Sequence, residues 1–185
     1  NSADKQKWDL HNRMGSAMPV SIGHAGHGLS KADFERNPDL FAMRQGKRVQ
    51  GSKPCYSHPE YIQRAVSNVL QRAAAGARMI SMTPADGLGY SLSPLCQQWA
   101  KGGEVVWDKG SQFAKRPDGG LVCITSESLF NCINEAARAL REKYPGALIG
   151  TYAYSSYSHP PSFKIEPNVF IQTTTAYRRT PTSLE

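Results

Sequence analysis

Two stretches with helical periodicity, residues 59–75 and 127–144, each run within a few positions into a short apolar segment, 78–83 and 147–154. This repeated order is the strongest constraint on the fold. Strands reached through intervening helices pair in parallel, by right-handed crossovers. In the first stretch Pro59 suits an opening helical turn, and Ile62, Val66, Val69, Leu70 and Ala73 share one face. In the second, Leu129, Ile133, Ala137, Leu140 and Tyr144 form an apolar stripe, Ser126 is placed to cap, and Pro145-Gly146 ends the helix. Further strand candidates are residues 17–22 and 168–174, and Pro160-Pro161 forbids a continuous strand between 154 and 168. Residues 84–123, rich in Gly, Pro and Ser, read as a long irregular segment with a short helix over 94–101. Connections of that length are usually functional or flexible.

The expected fold class is therefore α/β, with parallel strands and crossover helices. An open sheet and part of a (β/α)8 barrel of the TIM type both fit. A closed barrel typically takes ~250 residues, and this chain has 185, so a partial barrel is expected. The length suits one domain, residues 1–185, able to bury a core without disulfides or metals. No run of ~18 apolar residues marks a membrane span, and the polar start, Asn1 to Gln6, carries no signal-peptide core. The charge of +7 comes from basic residues scattered along the chain, densest at 44–48 and Arg178-Arg179, without a nucleic-acid motif. Nucleic acid and membrane are thus not expected partners, while a basic groove for acidic sugars fits the same charge. Cys55, Cys96, Cys123 and Cys132 include no C-x-x-C pair, against a zinc ribbon or a thioredoxin-type site. They leave room for one disulfide, with four buried thiols the default.

In parallel α/β folds, sites gather at the C-terminal ends of the strands. His24 and His27 follow residues 17–22. Asp86, Gly87, Gly89 and Tyr90 follow 78–83, and Tyr152 and Tyr154 end 147–154, with Tyr157 and His159 next. Tyr177, Arg178 and Arg179 follow 168–174. Aromatic faces beside charged hydrogen-bonding groups suit a polyhydroxylated ligand. Asp86 is the candidate catalytic or substrate-orienting carboxylate, and His24, His27, Tyr90, Tyr152, Tyr154 and Arg178 are the candidate substrate-binding residues.

Each has a plainer reading. Asp86-Gly87 is also a common turn dipeptide, and the tyrosines can simply pack. His24 and His27 have metal-like spacing but no third ligand nearby, so hydrogen-bonding loop histidines are preferred and no metal is expected. Gly87-Leu88-Gly89 is too short for a dinucleotide fingerprint, and no cofactor is expected. Cys55 with His58 lacks an orienting group and oxyanion donors. Glycoside hydrolysis normally needs two carboxyl groups, and the second is not evident. Glu104 and Asp108 lie in the long segment, and Glu127 opens a helix, where a surface or capping role is expected.

An ordered set of motifs resembles the bacterial domain-of-unknown-function family 4838. In order they are Arg13-Met14-Gly15, Gly23-His24-Ala25-Gly26-His27, Asn37-Pro38-Asp39-Leu40-Phe41-Ala42, Gly46-Lys47-Arg48 and Pro54-Cys55-Tyr56-Ser57-His58-Pro59-Glu60. Ile80-Ser81-Met82-Thr83-Pro84-Ala85-Asp86-Gly87, Tyr144-Pro145, Ala153-Tyr154, Pro160-Pro161 and Pro167-Asn168-Val169 follow. The resemblance implies a glycosidase-type (β/α)8 barrel, as a piece of a larger protein, with Asp86 at the end of a central strand and His24 and His27 at a sugar-binding mouth. The chain departs from the family pattern at Ala85, where an Asn often precedes Asp-Gly, and at Ser91 to Cys96, where only one of several cysteines remains. The family's Asn-Pro-Glu is His58-Pro59-Glu60 here. The expected function is a carbohydrate-active domain, a glycoside hydrolase or part of one, whose partners are a carbohydrate ligand and the remainder of the parent chain. Its location is open, with secreted or periplasmic as the candidates. The alternative is a non-catalytic carbohydrate-binding or scaffold module. A metal-dependent hydrolase built on His24 and His27 is the third reading.

Overall fold

A computed structural model describes residues 4, 7, 22–26, 28–51, 53–108 and 111–174. The strand candidate at 17–22 lies outside these residues except for Ile22. Helix α1 (Lys31–Arg36) opens with a reciprocal cap, in which the Ser30 side chain accepts from the Asp33 N–H and the Asp33 carboxylate accepts from the Ser30 N–H. A small hairpin of β1 (Met43–Arg44) and β2 (Lys47–Arg48) leads to α2 (Pro59–Ala74). Pro59 starts α2 as expected, and His58 caps it, its Nδ1 accepting from the Glu60 N–H at 3.2 Å. His58 Nδ1 is thereby engaged as the helix cap, and Cys55 Sγ lies against Ser93 and Cys96, so the two do not form a Cys/His pair.

Strand β3 (Met79–Ser81) follows α2. Next come the short α3 (Pro94–Gln97), continued as a 3-10 turn to Ala100, and three strands, β4 (Glu104–Asp108), β5 (Ser111–Lys115) and β6 (Leu121–Cys123). These pair antiparallel in the order β4-β5-β6. The long irregular segment expected over 84–123 thus contains a sheet. Its strands are short and separated by glycine-containing connections, so no run is long enough to show the alternation. Gly103 is one of the few positions where glycine is forced: a Cβ there would lie 2.6 Å from the main-chain oxygen of Lys115.

Helix α4 (Ile124–Lys143) begins directly after β6, with Cys123 at the cap position. Ser126 is therefore inside the helix and fully buried rather than capping it. The predicted stripe holds, since Leu129, Ile133, Ala137 and Leu140 are all buried. Thr125, Glu127 and Asn134 are buried as well, because α4 packs between the two sheets and against α2 and is enclosed on more than one face. Burying each large apolar side chain contributes roughly 1.5–3 kcal/mol, so this helix is the main organiser of the core.

Strands β7 (Leu148–Ala153) and β8 (Val169–Thr173) complete a three-stranded sheet in the order β3-β7-β8, parallel throughout. Ile80 pairs with Ile149, both fully buried. The Met82 N–H donates to the Gly150 oxygen at 2.9 Å, while on the opposite edge of the same strand the Ala25 N–H donates to the Thr83 oxygen at 2.9 Å. His24 forms a parallel bridge to Thr83 there. The His24 segment, β3, β7 and β8 therefore lie side by side in chain order. The connection from the His24 segment to β3 carries α1 and α2, and that from β3 to β7 carries α3 and α4, whereas between β7 and β8 the chain makes a 3-10 turn at Ser155–Tyr157. The fold is mixed α/β with a parallel sheet, and no closed barrel is present among the described residues.

Candidate functional site

A candidate site lies at the C-terminal ends of the parallel strands. Beyond β3 the chain runs through Thr83 and Pro84, both buried, to a turn at Asp86-Gly87. The His24 ring lies across this turn, with Nδ1 2.6 Å from the Pro84 carbonyl oxygen. A carbonyl only accepts, so Nδ1 carries the proton, and in the neutral ring Nε2 is the accepting nitrogen. Asp86 Oδ1 accepts from the Gly87 N–H at 2.8 Å. Gly87 has φ +83°, a left-handed conformation that favours glycine. Asp86 is thus both a turn residue and an exposed carboxylate.

Lys53 supports this turn from beneath. Its Nζ donates to the main-chain oxygens of Ala85 and, at 3.1 Å, Asp86, and it lies 4.9 Å from the centroid of the Tyr90 ring. Only 5% of Lys53 is exposed. Burial lowers its pKa, and the Asp86 charge opposes that shift.

The facing wall follows β7. Tyr154 and the turn Ser155–Tyr157 approach Tyr90, with the Tyr90 and Tyr157 rings 5.8 Å apart and those of Tyr154 and Tyr157 6.5 Å apart. Burial drives the Tyr90 phenol well above its ordinary range and pushes Tyr157 up to about 12, and the Asp86 charge adds to both shifts. Ser155 sits at φ +49°, a conformation uncommon for a residue with a side chain. Such backbone recurs at binding sites.

Between these walls is a cavity of about 210 Å³, lined by His24, the 85–88 turn, Tyr90 and residues 154–157. Four of the seven sequence candidates, His24, Asp86, Tyr90 and Tyr154, are brought together there. Tyr152 stands apart: its hydroxyl donates to the Ile22 oxygen at 3.0 Å and its ring meets the edge of His24. It braces the His24 segment rather than lining the cavity. His27 and Arg178 lie outside the described residues. Lys53 was missed by sequence reasoning, because nothing in Gly51-Ser52-Lys53-Pro54 signals that its ammonium turns inward.

A larger cleft of about 750 Å³ runs along α2 and includes Arg64, Asn68, Arg72 and Thr83. Its carboxylate, Glu60, is already engaged by Arg36, Asn37 and Arg64. These contacts, Arg36 first, hold Glu60 down at about 2. The smaller cavity keeps an exposed acid beside aromatic faces. Glu127 offers no second acid. It is buried, not on the surface, and accepts from the Ser162 N–H at 2.6 Å and the Ser162 hydroxyl at 3.0 Å. Among the described residues, no group of three or more His, Cys, Asp or Glu side chains is placed to hold a metal ion. None of the described helices is long and apolar enough to cross a membrane.

A family model described as a domain of unknown function, DUF4838, matches residues 15–184. Searches of curated proteins and of solved structures returned no match.

Proposed function

The chain belongs to the DUF4838 family, a domain of unknown function, and from that premise we propose that it is a carbohydrate-active domain, a glycoside hydrolase or part of one. The observation that carries this reading is the shared cavity of His24, Asp86, Tyr90 and Tyr154. Its volume of about 210 Å³ is below the roughly 300–1,000 Å³ of sites for drug-sized ligands, which suits a single sugar ring. Tyrosine rings offer apolar faces to the C–H face of a pyranose, and the His24 nitrogen and Asp86 carboxylate offer acceptors to its hydroxyls. Asp86 would act as acid/base or would orient the substrate. The chain-ordered parallel strands support a partial (β/α)8 barrel, with its site at the C-terminal rim.

One observation favours the second reading, a non-catalytic binding or scaffold module. Asp86 is the one carboxylate among the described residues lining the cavity, whereas hydrolysis normally uses two. Under the first reading the partner acid comes from elsewhere in the parent protein.

Screening the longest natural chain against a glycan panel, for both turnover and binding, tests this. Asp86→Asn keeps the Gly87 contact and is expected to lower turnover by about 10²–10⁴-fold while the chain stays folded. Turnover unchanged by Asp86→Asn removes Asp86 from the chemistry. Binding without turnover selects the module reading, and neither binding nor turnover rejects both.

A further inference from the structure

Cys55 and Cys96 are 41 positions apart in sequence, yet their Sγ atoms are 3.7 Å apart. They meet in a small core of their own with Ala100, Ala114 and Ile124, where both are buried. We propose that Cys55 and Cys96 are a dithiol that hydrogen peroxide closes to an internal disulfide, stapling the segment before α2 to helix α3. The sulfurs are in contact, and closing to a bond of about 2.05 Å shortens their separation by about 1.7 Å.

The surroundings define which sulfur attacks. Cys55 Sγ is 3.2 Å from Ser93 Oγ. The Cys96 thiol, then the Ser93 and Ser91 hydroxyls and the charge of Arg48, hold Cys55 below the ordinary thiol range. The same contact, with burial, pushes Cys96 up. These opposite directions assign Cys55 as the attacking sulfur and Cys96 as its resolving partner. The remaining cysteines are set differently. Cys123 donates to the Ser156 oxygen at 3.2 Å, and burial pushes Cys132 up to about 12.

In the reaction the Cys55 thiolate attacks one peroxide oxygen and breaks the O–O bond. This gives a sulfenic acid and hydroxide, which takes up a proton as water. Cys96 sulfur then attacks Cys55 sulfur, and hydroxide leaves with the Cys96 proton as a second water. Two thiols and one peroxide become one disulfide and two waters; sulfur is oxidised and peroxide oxygen reduced.

The staple joins two parts that frame the glycan cavity. Cys55 lies two residues beyond Lys53, which holds the Asp86 turn, and Cys96 follows the 84–93 connection that carries Asp86 and Tyr90. The inference does not depend on the ligand of that cavity.

The test treats the folded chain with hydrogen peroxide, alkylates the free thiols under denaturing conditions, and maps peptides without reduction. The expected product has lost two of its four thiols, is lighter by two hydrogens, yields a Cys55–Cys96 linked peptide, and regains all four thiols with dithiothreitol. Cys96→Ser should instead stop at a sulfenic acid on Cys55 that dimedone traps. Four alkylatable thiols after peroxide, sulfinic acid on Cys55 in the unmodified chain, or a link involving Cys123 or Cys132 would overturn the proposal. The mapping of the unmodified chain decides the matter even if the variant does not fold.

Discussion

Lys53 donates from Nζ to the main-chain oxygen of Asp86 at 3.1 Å, and the same ammonium lies against the Tyr90 ring. One buried cation thereby fixes both the turn that presents the carboxylate and the aromatic wall beside it. Its pKa is lowered because burial of the ammonium outweighs the opposing charge of Asp86.

Replacing Lys53 with Met leaves the Ala85 and Asp86 oxygens without their donor. A lost charged hydrogen bond of this kind is worth about 1.5–3 kcal/mol, and urea unfolding should show a loss of about that size. Glycan affinity or turnover should fall at least tenfold beyond what the population of folded protein explains. Lys53→Met with unchanged ligand response would show that the Asp86 turn is held by other contacts.

Glu127→Ala removes the acceptors for the Ser162 N–H and hydroxyl in a buried setting. We expect a destabilisation of about 3 kcal/mol and faster amide exchange at Ser162 and Phe163, just beyond Pro160-Pro161. Glu127→Gln keeps one carbonyl acceptor and should lose less. Equal losses for the two variants would argue that the charged carboxylate carries the whole effect and that the shape and single acceptor kept by Gln contribute nothing.

Alkaline stability follows from the buried phenols. Burial raises the pKa of Tyr56, Tyr61 and Tyr90, and brings Tyr157 to about 12, whereas an unfolded tyrosine ionises near 10. The folded state then binds more protons above pH ~10, so stability is fully present below that value and declines as pH rises through the folded values. Lys53 acts in the opposite sense, its lowered pKa making stability rise with pH up to its unfolded value of 10.5, but it is one group against four. The urea midpoint should fall steeply between about pH 10 and 12, with phenolate absorbance appearing alongside unfolding. Tyrosines that all titrate near pH ~10 in a folded chain would contradict this.

The proposed Cys55–Cys96 bond closes a loop set by the 41-position separation. Chain entropy assigns such a crosslink about 4 kcal/mol, or a Tm increase on the order of 10 °C for a domain of this size. Thermal unfolding of the oxidised and reduced forms reads this directly. An oxidised form that melts earlier would place strain, rather than reinforcement, at the pair.

The amphipathic helices and the apolar strands that follow them were legible because their signals are local. Pro59, the Leu129–Leu140 stripe and Pro145-Gly146 each act within a few residues of their own position. Parallel pairing followed from their order, and so did the placement of His24, Asp86, Tyr90 and Tyr154 at strand ends. The antiparallel strands β4 to β6 were not legible, since Gly103 and the short runs gain their meaning only from the partner strand.

Sequence alone therefore determined the α/β class, the candidate residues and the family, because periodicity, turn chemistry and motif order are written along the chain. Tertiary structure alone decided which candidates share a cavity, that Lys53 turns inward beneath Asp86, that Glu127 is a buried anchor for Ser162, and that Cys55 meets Cys96. Those relationships depend on side-chain direction and on contacts between distant segments, set by how α4 packs between two sheets, and no local pattern encodes that packing.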